Sequence, residues 1–306
     1  MENGFKIKGQ NLSPERREKF AEKYKEVEKE AMTPYGNELE KSEKAKEVIN
    51  FINACLNKKF NEMGLRYGNI PLEKIHIFSK ENFEKTFPSK KDLNGFSLST
   101  LKEANIKASD IEIAGIFKAI LHEMVHLASY NVYFANTSSD ELKENYRSGY
   151  FNVQHQSENC HCHFSALDEG VVDLVVSEIV QENLDTIFKM LDLQKDDWKN
   201  VSWYHDELNL INIIAEKIST QKGESVDDVC KKFKRGLFSG EMMHLRDVEK
   251  VYGKSSLRIL SYFEPNIEKN DNESISFKEK IYEFFETDDD NRRGELRNEI
   301  IESRRF

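Results

Sequence analysis

At 306 residues the chain is long enough to bury a substantial core, as one large domain or two lobes. It is 33% charged and 38% hydrophobic, with a formal net charge of −10, and this acidic balance argues against general binding to nucleic acid or anionic membranes, which favours clustered positive charge. No apolar run approaches a membrane span, the first residues lack the apolar stretch of a secretory signal, and four cysteines make no disulfide framework. The expectation is a cytoplasmic protein with reduced thiols, whose partners are neither nucleic acid nor membrane; its oligomeric state is left open.

In chain order, residues 13–61 are rich in Glu, Lys and Ala and carry the apolar spacing Val48, Phe51, Ile52, Cys55. They read as helices, the first opening at Ser13-Pro14, with a turn at Pro34–Asn37 between two of them. After Gly64 and Gly68 the pattern alternates, so Lys74–Phe78 and Gly95–Ser99 are predicted strands. Ser109-Asp110-Ile111-Glu112 is a capping box, and the helix it opens extends to Ala128. That helix is apolar almost all round, through Ile113, Ile116, Phe117, Ile120, Leu121, Met124 and Val125, which implies a central, buried element whose few polar residues have a job. Residues 131–164 read as a long irregular connection, with Arg147–Val153 as a candidate short strand. Ser165, with Asp168 three positions on, resembles a capping box and marks another helix start. From 184 to 263 the chain is helix-rich, with a periodic helix opening around Ser202–Glu207 and running through Leu208, Ile211, Ile214, Ala215 and Ile218, and another opening at Ser225. The remainder, dominated by charge, reads as a solvated terminal helix or a mobile tail. The expected division is 1–164, 165–263 and 264–306.

Chemistry concentrates in two of these helices. His122-Glu123-Met124-Val125-His126 is an H-E-x-x-H pentapeptide, and its i, i+4 spacing presents both imidazoles to a single point. That is two of the three protein ligands of a catalytic zinc, with Glu123 within reach of the zinc's water as general base. Downstream, Glu169 and Asp173 are i, i+4 neighbours on a helix otherwise filled by Val171, Val172, Val175, Val176 and Ile179. Two carboxylates on such a helix are costly to bury unless a cation compensates them. A metal on His122 and His126 supplies one: Glu169 becomes the third ligand, and Asp173 accepts the free N–H of a ligating histidine. The alternative is a solvated acidic face on a surface helix.

This pairing, His122 to His126 on one helix and Glu169 to Asp173 on a later one, resembles the gluzincins, the thermolysin-like clan of zinc metallopeptidases. The resemblance covers roughly the central quarter of the chain at motif level. It implies Zn2+ held by His122, His126 and Glu169, Glu123 as base and Asp173 behind the ligands. It also implies an α+β fold: a zincin-like N-terminal part, with a small sheet beside the active-site helix, and a mainly helical C-terminal lobe. An edge strand of that sheet would hold an extended peptide or protein substrate by β-augmentation. In gluzincins a Tyr or His of the C-terminal lobe stabilises the oxyanion; Tyr204 and His205 are the candidates here, with Tyr150 and His244 as further options. Aromatic packing on Trp203 at a helix start explains Tyr204 and His205 equally well.

Cys160-His161-Cys162-His163 is the other conspicuous cluster. Its spacing does not match the common C-x₂-C zinc frameworks, so it reads as a loop without metal, a second structural zinc being the alternative. His76 reads as a strand residue, His155 as a loop residue, and Cys55 and Cys230 as core. The sequence therefore points to a zinc metallopeptidase. A zinc hydrolase of some non-peptide amide or ester, and a non-enzymatic zincin-fold binding or regulatory protein, are the rival readings.

Overall fold

The two periodicities in the sequence sort the chain into long helices and short strands, giving a mixed α+β architecture in which helix predominates. The computed structural model describes residues 6–8, 12–31, 37–98, 102–108, 113–134, 145–156, 159–194, 198, 205–264 and 272–304. The Ser109–Glu112 capping box, most of the Pro34–Asn37 turn and Tyr204 lie outside the described residues. The chain forms two compact units, each assembled from two stretches: Met1–Ser148 with Val175–Ser202, and Gly149–Leu174 with Trp203–Phe306. These boundaries differ from three consecutive segments divided at 164 and 263.

The first unit contains, in order, β1 (Lys6–Lys8), α1 (Pro14–Ala31), α2 (Glu43–Glu62), β2 (Ile75–Ser79), α3 (Lys80–Thr86), β3 (Gly95–Leu98), β4 (Glu103–Ala108), α4 (Ile113–Ala128), β5 (Asn131–Phe134) and β6 (Asn145–Ser148). Helix α1 begins where Ser13 Oγ accepts the Arg16 N–H, and α2 where Ser42 accepts that of Ala45. The expected strands β2 and β3 belong to one three-stranded sheet of order β2-β4-β3, β4 running parallel to β2 and antiparallel to β3. Among the described residues β3 is therefore an edge of that sheet. Helix α4 packs on β3 and β4 and against α2, and its middle is buried nearly all round. Ile113, at its first turn, is an exception and is exposed.

Strand β4 was not expected, because Glu-Ala-Asn-Ile-Lys-Ala has weak β propensity. It holds the centre of the sheet because its charges are answered locally. Glu103 pairs with Lys74 at 3.1 Å and approaches His76 at 3.7 Å, while Lys107 donates to the Lys91 carbonyl at 2.6 Å. His76, a strand residue as expected, also bonds through Nδ1 to Glu38 at 2.9 Å.

The last turn of α4 leaves carbonyls without helical partners, and lysine near a helix C-terminus can satisfy them. Lys102 reaches in from the turn before β4, its Nζ donating to Leu127 O at 2.8 Å and Ser129 O at 3.3 Å. Burial pushes its pKa from 10.5 down to about 8. Below pH 8 both folded and unfolded chains carry the charge, and the full burial cost stands. Between pH 8 and about 10.5 the unfolded chain keeps a proton the folded chain has released, so stability should rise with pH across that window. Urea midpoints measured from pH 7.5 to 10 should show this rise in the wild type and lose that component in Lys102→Met.

Residues 131–164, expected as an irregular connection, are instead strand-rich where described. β5 pairs with β1 in parallel and with β6 antiparallel. The second unit begins with the hairpin β7 (Phe151–Gln156) and β8 (Asn159–His163), followed by the start of α5 (Ser165–Leu191). The candidate strand Arg147–Val153 is thus interrupted by a turn at Gly149-Tyr150, Gly149 taking a φ of +55°. Helix α5 starts at Ser165 as expected and continues into the first unit, with non-helical backbone at Asn183.

The rest of the second unit is helical: α6 (His205–Lys222), α7 (Val226–Ser239), α8 (Leu245–Tyr252), α9 (Ser256–Ser261), α10 (Asn272–Glu286) and α11 (Asp290–Ser303). Leu210, Ile211, Ile214, Ala215 and Ile218 bury one side of α6, and α7 opens at its predicted Ser225 cap and closes on left-handed Gly240. The charged C-terminal segment is not a solvated tail. Ile281, Phe284, Phe285, Leu296 and Ile300 are fully buried in it, and α10 packs on α11 and α6. Most of its charges occupy the outer faces, where Arg292 pairs with Glu283 at 2.6 Å, although Arg293 is buried. An apolar stripe at helical spacing was present beneath the charge and outweighed it.

Candidate metal centre

The last two turns of α4 carry His122, Glu123 and His126. His122 is 3% exposed and Glu123 6%, so both are polar groups held inside an apolar helix environment. Helical i, i+4 geometry aims the two imidazoles the same way, and their Nε2 atoms approach to 3.1 Å, with ring centroids 4.8 Å apart. Nitrogens at about 2.0–2.1 Å from one tetrahedral ion would stand about 3.3 Å apart, so the observed separation suits a shared zinc. The negative end of the α4 dipole also favours a cation at this point.

Glu169 lies in the second turn of α5 and is half-buried. One ligand atom from each of His122, His126 and Glu169 falls within 4.8 Å of the others. Among the described residues this is the only group of three or more metal-ligating side chains that converges in this way. Two neutral imidazoles and one carboxylate are the donor set of a catalytic zinc that keeps an open fourth position. Asp173, one turn beyond Glu169, is 8% exposed and stands on the same helical face.

Glu123 is confined from the side of the sheet. A Cβ on Gly95, at the start of edge strand β3, would meet Glu123 Cγ at 3.3 Å, Ile106 Cδ1 at 3.2 Å and Asn105 O at 3.2 Å. The bare glycine lets β3 pass against the Glu123 side chain, and so places an edge strand beside it.

Comparisons with protein-family models, with curated proteins and with solved structures found no match.

Of the remaining predicted site residues, His205, Tyr150 and His244 are among the described residues. His205 is exposed at the first residue of α6, and Tyr204 lies outside the described residues. Tyr150 is fully buried, its hydroxyl 2.7 Å from Phe233 O and 2.6 Å from His244 Nε2. Those two further options for an oxyanion donor therefore hold one another. The carbonyl can only accept, so the Tyr150 proton goes to Phe233 O and His244 Nε2–H donates to the Tyr150 oxygen. This fixes the His244 tautomer by elimination.

Cys160–His163, expected as a loop, forms strand β8. Alternation sends His161 and His163 to one face, their rings stacked with centroids 6.5 Å apart, and exposed Cys162 to the other. Burial and the neighbouring His161 lower the His163 pKa. Cys55 and Cys230 are core residues as expected, and burial pushes the Cys55 thiol up to about 11.

Sequence reasoning missed the packing around Asp168. Its Oδ1 accepts the Tyr150 N–H at 2.7 Å, whereas a capping box would turn it back to its own helix start. The signal available in the sequence was glycine: Gly149 and Gly170 flank the two partners, but nothing in a linear reading connects them.

Proposed function

We propose that this chain is a zinc-dependent metallopeptidase of gluzincin type, with a zincin-like arrangement of small sheet and metal helix in its first unit. The observation that carries the reading is the convergence of His122, His126 and Glu169, with Glu123 between the two histidines on the same helix. His122 and His126 would hold the ion through Nε2, and Glu169 through a carboxylate oxygen. A zinc ion there supplies Lewis-acid polarisation of the scissile carbonyl and a lowered pKa for its water. Glu123 takes the proton of the attacking water and passes it to the leaving amine, so the base becomes the acid within one turnover. Asp173 would accept a histidine N–H and so fix the ring orientation. Edge strand β3, beside Glu123, pairs only with β4 among the described strands, and its outer backbone groups would receive an extended peptide.

The test is metal content together with cleavage. Purified protein should carry about one zinc per chain, lose it to a chelator, and regain cleavage of a denatured protein substrate when zinc is restored. Zinc-loaded protein that cuts no member of a broad peptide panel would favour a hydrolase of other amides or esters. Protein that binds no zinc would sink the reading.

A further inference from the structure

The second unit contains a buried polar chain that ends next to the proposed third ligand. His244 Nε2 meets the Tyr150 hydroxyl at 2.6 Å, and that hydroxyl donates to Phe233 O at 2.7 Å. The Tyr150 N–H donates to Asp168 Oδ1 at 2.7 Å. Tyr150 is 0% exposed and Asp168 3%. Polar groups buried this deeply are costly unless bonded, and these form a bonded series.

Space for the series is cleared by glycines. A Cβ on Gly149, which has a φ of +55°, would overlap Asp168 Oδ1, and one on Gly236 would overlap the Tyr150 hydroxyl and His244 Cε1. On the other side of Glu169, Gly170 lies so close to α6 that a Cβ would meet Glu207 O at 2.6 Å and Ile211 Cγ1 at 2.8 Å. Glu169 therefore sits between two immobilised neighbours, Asp168 tied to Tyr150 and Gly170 pressed on α6. A helix gripped on both sides of one residue cannot rotate or slide at that residue without breaking a buried contact.

We infer that Asp168, Tyr150 and His244 are positioning residues that fix the rotational setting of the first turns of α5, and hence the direction in which Glu169 presents its carboxylate to a metal. The inference rests on the proposed function for the identity of the ligand and adds the residues that aim it. Asp168 does this by accepting a backbone N–H, so an amide oxygen at the same place serves as well.

The experiment measures zinc affinity by competition with a chromophoric chelator, using the full chain as wild type, Asp168→Ala, Asp168→Asn and Glu169→Ala. The melting temperature of each metal-free protein is measured alongside. Asp168→Ala should weaken zinc binding by about 10–100-fold, the range typical of residues that support a metal ligand, and Asp168→Asn should restore it close to wild type. A merely structural role would lower the melting temperature and leave the affinity of the folded protein unmoved. Wild-type affinity in folded Asp168→Ala overturns the inference. If Asp168→Ala does not fold, Tyr150→Phe answers the same question. It keeps the N–H to Asp168 but releases the ring from Phe233 and His244; weakened zinc binding supports the inference, and unchanged binding overturns it. Wild-type protein that binds zinc no better than Glu169→Ala defeats the metal reading itself, and the inference falls with it.

Discussion

Glu123→Gln should abolish most hydrolysis while leaving the metal in place. Glutamine has the same length and nearly the same volume, which matters for a side chain only 6% exposed and packed against Gly95 of the edge strand. It can still hydrogen-bond a water molecule, but it cannot take its proton at any ordinary pH. Positioned general bases contribute about 10²–10⁴-fold to rate, so kcat on a peptide substrate should fall by that amount. Zinc content should stay at wild-type level, because Glu123 is outside the converging ligand set. Parallel assays of kcat and bound zinc check both halves. A Gln variant that cleaves as fast as the wild type removes Glu123 from the chemistry.

Glu169→Ala should have the converse signature, losing the metal first and the activity as a consequence. The two imidazoles would still converge at 3.1 Å on α4, but they supply only two donors where a catalytic zinc uses three protein ligands. The loss of affinity should exceed the 10–100-fold typical of a supporting residue, because a bond to the ion itself is removed. Protein purified without added zinc should then come out nearly metal-free, and titration should show weak binding. Retention of wild-type zinc content in this variant would mean that Glu169 is not the third ligand. Glu123→Gln and Glu169→Ala together separate holding the ion from moving the proton.

The parts of this centre that were legible in the sequence are those fixed by one helix at a time. The i, i+4 spacing of His122 and His126, and of Glu169 and Asp173, is a local property, and both helices form where their sequences require. The convergence of Glu169 with the two histidines depends on tertiary packing, and only the chemistry of buried carboxylates hinted at it. Strand β4 was illegible because Glu103 and Lys107 look like surface residues until Lys74, His76 and the Lys91 carbonyl are brought to them. The strands between 131 and 163 were obscured by mixed polarity, as hairpins with partly exposed faces carry a weaker pattern than a buried helix. In α10 and α11 the density of charge masks the apolar stripe of Ile281, Phe284, Leu296 and Ile300 beneath it. The Asp168 to His244 series joins residues as far apart as 150 and 244, and no periodicity encodes such a link.

The interleaving of the two units has a consequence for how the protein comes off the ribosome. Residues 175–202 belong with the first 148, and residues 149–174 belong with everything after 203. Vectorial folding, in which an N-terminal module finishes before the next is synthesised, is therefore closed to this chain. A nascent polypeptide halted after Ser148 holds an unfinished module, and truncation there should expose apolar surface that the intact protein covers with residues from beyond Val175.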